Sequence, residues 1–545
     1  MKIKSLLAGM VVSAALASCT NQDIIENESE INTSTAKAYI GIKIADPANG
    51  IARAATDGGF DHGTANENAI QKSLFLFYKD GVYAGKGSYE GELTVNQNQE
   101  SGSIEATTTA VVVLQGKQEG SADYPNQVVA FLNVPDAVKN TLENKTLEEA
   151  MKIVKNITEI SDYATDKKFI MTNSVYLKDG TIQVAAPVTS ANFAQTATAA
   201  TENPITIYVE RVAAKVKMTA NQAGITTPDI DITYNGESGV KLKLTIDGWG
   251  INGVNKNTYL LKNIDAAWNF NKWDWNDPDN LRSYWAKDNN YSNGTYPADH
   301  DQYDSKTSSL QYNSWNTVAT NKEGAAQYCP ENTMNVSLAG NINATTYMVI
   351  AGHYSIVKDN KETEVGEDNK LYKYIDKFYD ETELLKLLAE QANIYTYTKE
   401  GKTEKWNKVD PNMYKLVRAS LYDAKLELKE NGDYYSAKNT DSKFKNLAEA
   451  NKKLADLGTF TTFAGGKTFF YTPIEHLSSN DKQDGHIGIV RNHTYNLTLN
   501  TIKNLGNGVF DPDEEIIITE KEKNFYVGAT LNILSWKVVN QDVDL

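Results

Sequence analysis

Tyr39-Ile40-Gly41-Ile42-Lys43-Ile44 alternates with a period of two, so Ile40, Ile42 and Ile44 share one face of a strand. Pro47-Ala48-Asn49-Gly50 then ends it. The same reading extends outward. Leu74-Phe75-Leu76-Phe77-Tyr78 is a strand that runs into Lys79-Asp80-Gly81, a hairpin signal because both turn residues tolerate a positive φ. Val128 to Leu132 reads as a buried strand, Ile205 to Val209 leads through Glu210-Arg211 into another at Val212 to Met218, and Lys243 to Trp249 adds one more. Helical spacing is confined to a few segments. Thr146-x-x-Glu149 forms a capping box before a stripe of Leu147, Ala150, Met151 and Val154. Glu383 to Ala392 and Lys443 to Leu457 are the others, the latter with Gly458 as its C-cap. The chain is therefore expected to be mostly β with a few helical insertions. No repeat of fixed period argues for a solenoid or propeller.

A length of 545 residues suggests two domains, with a boundary near Asn203-Pro204 that separates residues 54–204 from 205–545. The chain carries 54 Lys and Arg against 70 Asp and Glu, a formal charge of −16. An acidic surface repels a phosphate backbone, so nucleic acid is not an expected partner. Residues 268 to about 334 are rich in Asn, Asp, Tyr and Trp, lack periodicity, and read as a long ordered loop.

At the N-terminus, Lys2 and Lys4 precede an apolar run from Leu6 to Leu16, too short to span a bilayer and shaped like a secretory signal over residues 1–18. Leu16-Ala17-Ser18-Cys19 resembles the bacterial lipobox, which implies cleavage before Cys19 and a lipid on its sulfur. Acyl chains contribute about 0.8 kcal/mol per buried CH₂, enough to hold the precursor on a membrane. Residues 20–30 read as a polar, acidic tether, and residues 19–53 as a propeptide. Between the first strand and the body, Ile51 to Gly59 is small and polar with an isolated arginine, Arg53, the composition in which proteolytic nicking concentrates. Acylation of Cys19 leaves no second cysteine to bridge Cys329, which reads as buried and inert.

A search for catalytic chemistry yields little. His62, His300, His353, His476, His486 and His493 are scattered, and a hydrogen-bonded structural role is the ordinary reading of each. His486 and His493 are seven apart in strand-like sequence, on opposite faces and unsuited to one metal. HExxH, GxSxG and a Walker loop do not occur. Asp274, Asp277 and Asp279 lack EF-hand spacing and read as turn formers more readily than as calcium ligands. Trp268, Trp273, Trp275 and Trp285 are either a sugar-stacking platform or aromatic cover for a sheet edge. No enzyme activity, metal or cofactor is expected.

The most specific text lies in the C-terminal third: Gly488-Ile489-Val490-Arg491-Asn492-His493-Thr494-Tyr495, Leu499 to Gly506, and Leu531 to Val539 with Asp542-Val543-Asp544-Leu545. With Phe131-Leu132-Asn133-Val134, Met171-Thr172-Asn173, Glu210 to Val216, Gly248-Trp249, Tyr328 to Met334 and Pro473-Ile474-Glu475-His476, it resembles the major-subunit fimbrillins of Bacteroidales type V fimbriae, in particular those of the short, minor fimbriae. The resemblance is weakest between His353 and Gly458. It implies two β-sandwich-like (transthyretin-like) domains and a lipoprotein precursor of the outer membrane. It further implies cutting between Arg53 and Ala54 by an arginine-specific surface protease, which removes the strand over residues 38–45. The cut subunit would polymerise head to tail with copies of itself by donor-strand exchange. Accessory anchor and tip subunits, host or bacterial surface receptors, adhesion and biofilm formation are implied with it.

The residues by themselves agree with that mechanism. Phe525, Val527, Ala529, Leu531 and Ile533 share one face of a terminal strand, an apolar ladder comparable with Ile40, Ile42 and Ile44. Loss of an internal strand exposes an edge that another chain can fill, and head-to-tail exchange does not close on itself. The bland alternative is that Phe525 to Val539 pairs within its own domain. A different class of function is a non-polymerising surface lipoprotein that binds glycans through the Trp268 to Trp285 region. A hydrolase ranks behind both for want of a nucleophile and base.

Overall fold

The computed structural model describes residues 23–25, 37–45, 63–93, 95–97, 106–115, 124–156, 164, 167–178, 181–220, 227, 229–255, 257–264, 286–288, 306–307, 326–333, 344–476, 488–502, 504–514, 516, 518 and 537–544. The main path of the first sheet is built from β1 (Asp23–Ile25), β2 (Lys37–Ala45), β3 (Ile70–Lys79), β4 (Val82–Leu93), β5 (Ala106–Gln115), β6 (Gln127–Leu132), β7 (Met171–Asn173) and β8 (Ile205–Arg211). They are bonded in the order β1-β5-β2-β8-β7-β6-β3-β4. Asp80 (φ 51°) and Gly81 (φ 80°) close the β3–β4 hairpin in the left-handed region that the Asp-Gly pair makes cheap. Leu74 to Tyr78 and Val128 to Leu132 are buried on both faces, and they share one core with Ile40, Ile42, Ala110, Val112, Ile205 and Ile207. Because β4 also approaches β5 and β1, the sheet folds back over that core.

Short helices cover the sheet's margins. Thr64 and Glu67 form a capping box on α1 (Ala65–Asn68), and Thr146 and Glu149 form the expected one on α2 (Leu147–Met151). Thr196 caps α3 (Ala197–Ala200) by accepting from the Ala199 amide.

The second half is a sandwich. Its smaller sheet orders β12 (Ala326–Pro330), β9 (Ala213–Ala220), β15 (His493–Thr501) and β16 (Lys537–Asp544). Its larger sheet runs through β10 (Ile230–Tyr234), β11 (Glu237–Asn252), β13 (Tyr347–Lys358) and β14 (Lys467–Pro473). Val216, Met218, Tyr495, Leu497 and Leu499 from the first pack with Val240, Leu242, Met348, Ile350 and Phe470 from the second. Residues 360–458 extend the larger sheet and add a separate core, in which Leu384 and Leu388 of α4 (Glu381–Ala392) meet Ala450 and Leu454 of α5 (Leu447–Leu454) and the buried Tyr414, Leu426 and Phe460. Helix α5 starts four residues later than the apolar stripe suggests because the Asn446 side chain accepts from the Glu449 amide and sets the first turn there. Gly458 (φ 82°) ends the turn that follows it.

Three details differ from the sequence reading. The strand after the boundary expected at 204, β8, belongs to the first sheet through its pairing with β2 and β7, and the core changes from one cluster to the other between Ala213 and Ala214. Within the supposed tether, Asp23-Ile24-Ile25 forms β1, parallel to β5. Within the supposed loop from 268 to 334, residues 326–330 form β12, held against β9. In each case pairing with a distant strand decides what local periodicity does not.

Candidate functional site

Strand β2 is the element on which the fimbrillin resemblance turns, and it is interior to its sheet. All nine of its residues pair with β5, from Lys37 opposite Gln115 to Ala45 opposite Thr107. On its other side Ile42, Ile44 and Ala45 pair in parallel with Ile205, Ile207 and Tyr208, and Ile40 pairs with Phe193. Ile40 and Ile42 are wholly buried, whereas Lys43 between them and the next apolar rung is exposed. Burying such aliphatic side chains stabilises by roughly 1.5–3 kcal/mol each, so β2 is strongly held. Residues 19–53, the stretch read from the sequence as a propeptide, include β1, which pairs with β5 on one side, and β2, which pairs with it on the other.

A second constellation lies where the two cores meet. Lys215 Nζ stands 2.8 Å from Glu67 Oε1, and Tyr328 Oη donates to the same oxygen at 2.7 Å. Arg211 donates from Nε to the Glu67 carbonyl at 3.1 Å, from Nη1 to Asn492 Oδ1 at 3.0 Å, and from Nη2 to Asn68 Oδ1. Arg491 pairs with Glu331 at 3.0 Å and donates to the carbonyls of Leu260 and Tyr259 at 2.9 and 2.8 Å. Lys262 stands 2.9 Å from Glu210, both wholly buried. Burial pushes the Glu67 carboxyl up, but the Lys215 ammonium and then the Arg211 guanidinium outweigh it and hold the group below its ordinary range. For Glu210, desolvation prevails over Lys262 and Arg491 and its carboxyl is raised. Charges this deeply buried persist because each is paired, and Glu67, Arg211 and Arg491 make further hydrogen bonds.

The segments that carry the family resemblance converge here. Glu210, Arg211 and Lys215 come from one, Tyr328 and Glu331 from a second, Arg491 and Asn492 from a third, and Thr172 of a fourth donates to the Leu260 carbonyl at 2.7 Å. Nearby, Asn133 (φ 57°) donates to the carbonyls of Ala69 and Phe169 and accepts from the Gln71 amide, and Asn173 donates to Val128 and Val184. Sequence reasoning had no role for these residues. The available signal was a charge set inside apolar strand text, as with Glu210-Arg211 between Val209 and Val212.

Of the sequence-predicted residues, Ile40, Ile42 and the backbone of Ile44 come together in the ladder beside β5. Cys19, Arg53, Ala54, Phe525, Val527, Ala529, Leu531 and Ile533 lie outside the described residues, as do Asp274, Asp277, Asp279, Trp268, Trp273, Trp275, Trp285, His62, His300 and His486. Cys329 is buried. His476 and His493 stack edge to face at 4.9 Å, with the Tyr495 hydroxyl 3.1 Å from His476 Nδ1. Among the described residues no group of three or more His, Cys, Asp or Glu is placed to hold a metal ion, and no helix is long and apolar enough to cross a membrane.

No curated protein matches the chain. Similar solved structures include a protein of Parabacteroides distasonis assigned to cell adhesion, 10% identical, covering 94% of this chain and 98% of that one at a TM-score of 0.35. A fimbrial assembly protein of the same organism is 9% identical over 68% of this chain and 95% of its own, with a TM-score of 0.28. The tip fimbrial protein Mfa3 of Porphyromonas gingivalis is 12% identical over 67% and 98%, with a TM-score of 0.25. Residues 461–542, from within the strand Phe460–Ala464 that precedes β14 to a point inside β16, match the family described as "Major fimbrial subunit protein type IV, Fimbrillin, C-terminal". Over that region the chain is similar to the C-terminal part of the major fimbrial subunits.

Proposed function

We propose that the chain is a structural subunit of surface fimbriae, carried to the outer membrane as a lipoprotein on Cys19, cut between Arg53 and Ala54, and polymerised by donor-strand exchange. The observation that supports it best is the placement of β2, paired along both sides and buried at Ile40 and Ile42, in the stretch that the cut would release. Its departure leaves the facing edges of β5 and β8 without ladder partners over an apolar groove, a template for an added strand. The donor is the stretch from Phe525 to Ile533 of a neighbouring copy. It precedes β16, which lies at the outer end of its sheet and is bonded only through β15 among the described residues. The buried charges between Glu67, Lys215, Arg211 and Arg491 couple the two cores, as a subunit that passes tension along a filament requires. Anchor and tip subunits, surface receptors, adhesion and biofilm formation follow from the family reading.

The test is to treat purified protein comprising residues 20–545 with an arginine-specific protease and examine it unboiled in SDS. A ladder of multimers is expected from the native chain and none from Arg53→Ala. Monomer alone after complete cleavage at Arg53 would overturn the reading.

A further inference from the structure

Gly41 restricts what the β2 groove accepts. A Cβ built there would overlap the carbonyl oxygen of Ala200, stand 2.8 Å from its carbonyl carbon and 3.3 Å from Pro204 Cβ. The obstruction is main chain, so no change of rotamer relieves it. Ala200 is itself buried at the end of α3, its amide donating to the Thr196 carbonyl at 3.1 Å, so this wall of the groove is fixed. Gly41 has no left-handed φ, and the glycine is there for space. Any strand that replaces β2 with its ladder intact must bring a glycine to this rung.

After Gly508 the sequence contains a single glycine, Gly528. Setting Gly528 on the rung of Gly41 aligns Tyr526 with Tyr39, Val527 with Ile40, Ala529 with Ile42, Thr530 with Lys43, Leu531 with Ile44 and Asn532 with Ala45. Apolar residues then occupy the rungs of Ile40 and Ile42, and threonine takes the exposed rung of Lys43. A shift by one residue turns the apolar set to the wrong face, and a shift by two sets Tyr526 or Thr530 against Ala200. Building on the strand-exchange reading above, we propose that residues 525–532 of a second copy of this chain occupy the groove in this one register, with Gly528 against Ala200 as the residue that selects it. Val527 then lies opposite Val112, and Ala529 opposite Ala110 and Ile205, the partners of Ile40 and Ile42. Valine and alanine fill the groove less completely than the two isoleucines. The chain's own strand is therefore the better occupant until it is cut away.

Gly528→Val in the full chain tests the register. After cleavage at Arg53, the native chain is expected to give an SDS-resistant ladder and the variant to lose it. The variant keeps an intact groove, so adding it to cleaved native protein should cap growing chains and shorten the ladder as its share rises. A ladder from Gly528→Val equal to the native one overturns the register while leaving strand exchange standing. Absence of a ladder from the native chain overturns strand exchange, and the register with it. A variant that loses its ladder yet fails to shorten the native one has a damaged fold or groove, which counts against Gly528 acting as the donor's selector.

Discussion

Lys215 and Glu67 face each other at 2.8 Å with side chains only 4% and 2% exposed, joining β9 of the second sandwich to the helix that precedes the first sheet's β3. Tyr328 donates to the same carboxylate and Arg211 to the Glu67 main-chain carbonyl, so Glu67 is held by groups from three segments.

Removing the cation alone leaves Glu67 buried without its principal partner. Lys215→Met should lower stability by about 3–5 kcal/mol, seen as a fall in the midpoint of urea or thermal unfolding. The double change Lys215→Met with Glu67→Gln should be the milder one, because no unpaired charge is then buried. Equal losses in the two variants would count against the ion pair as the source of the effect.

Glu67 also predicts acid sensitivity. Its carboxyl is depressed in the folded chain, so the associated stability is present above the unfolded carboxyl pKa of about 4.3 and is lost as pH falls through the folded value. Glu210, raised by burial, shifts stability in the opposite direction. Unfolding midpoints measured from about pH 6 downwards should decline more steeply for the native chain than for Glu67→Gln.

Ile42 is buried in the precursor but leaves with the propeptide if cleavage occurs at Arg53. Ile42→Ala should destabilise the uncut chain by about 2–5 kcal/mol through the cavity it creates opposite Ala110 and Ile205. The cleaved product of the same variant should match the native product in calorimetry. A persistent difference after cleavage would show that β2 remains bound.

His353 offers a titration near neutral pH. Its hydrogen bond to Asp247, at 2.7 Å beside the β11 bulge, raises its pKa against the opposing effect of burial. The resulting stability is fully present below the unfolded pKa of about 6.5 and is lost as pH rises through the folded value. NMR titration should place the His353 midpoint above that of an exposed histidine, and Asp247→Asn should return it to the ordinary range.

The strand content and the hairpin at Asp80-Gly81 were legible because period-two burial and a positive φ are local properties, encoded within a few residues. The capping box at Thr146 was legible for the same reason, as was the apolar face of Ile40 and Ile42. Long-range pairing was not. Nothing near Asp23-Ile24-Ile25 announces a partner at Ala110 to Val112, and nothing before Ile205 says that β8 closes against β2. The ionic junction was hidden in the same way, since Glu67, Lys215, Glu331 and Arg491 are far apart in the chain.

The sequence by itself determined which residues alternate, where turns and caps fall and which stretch resembles a lipobox, because each depends on neighbours along the chain. Only the tertiary structure decided that β2 is an interior strand, that Gly41 lies beneath the Ala200 carbonyl, and that charged groups from five separated segments meet between two cores. Those relations arise from which strands share a ladder and how closely main chains pack, and burial gives them their energetic weight.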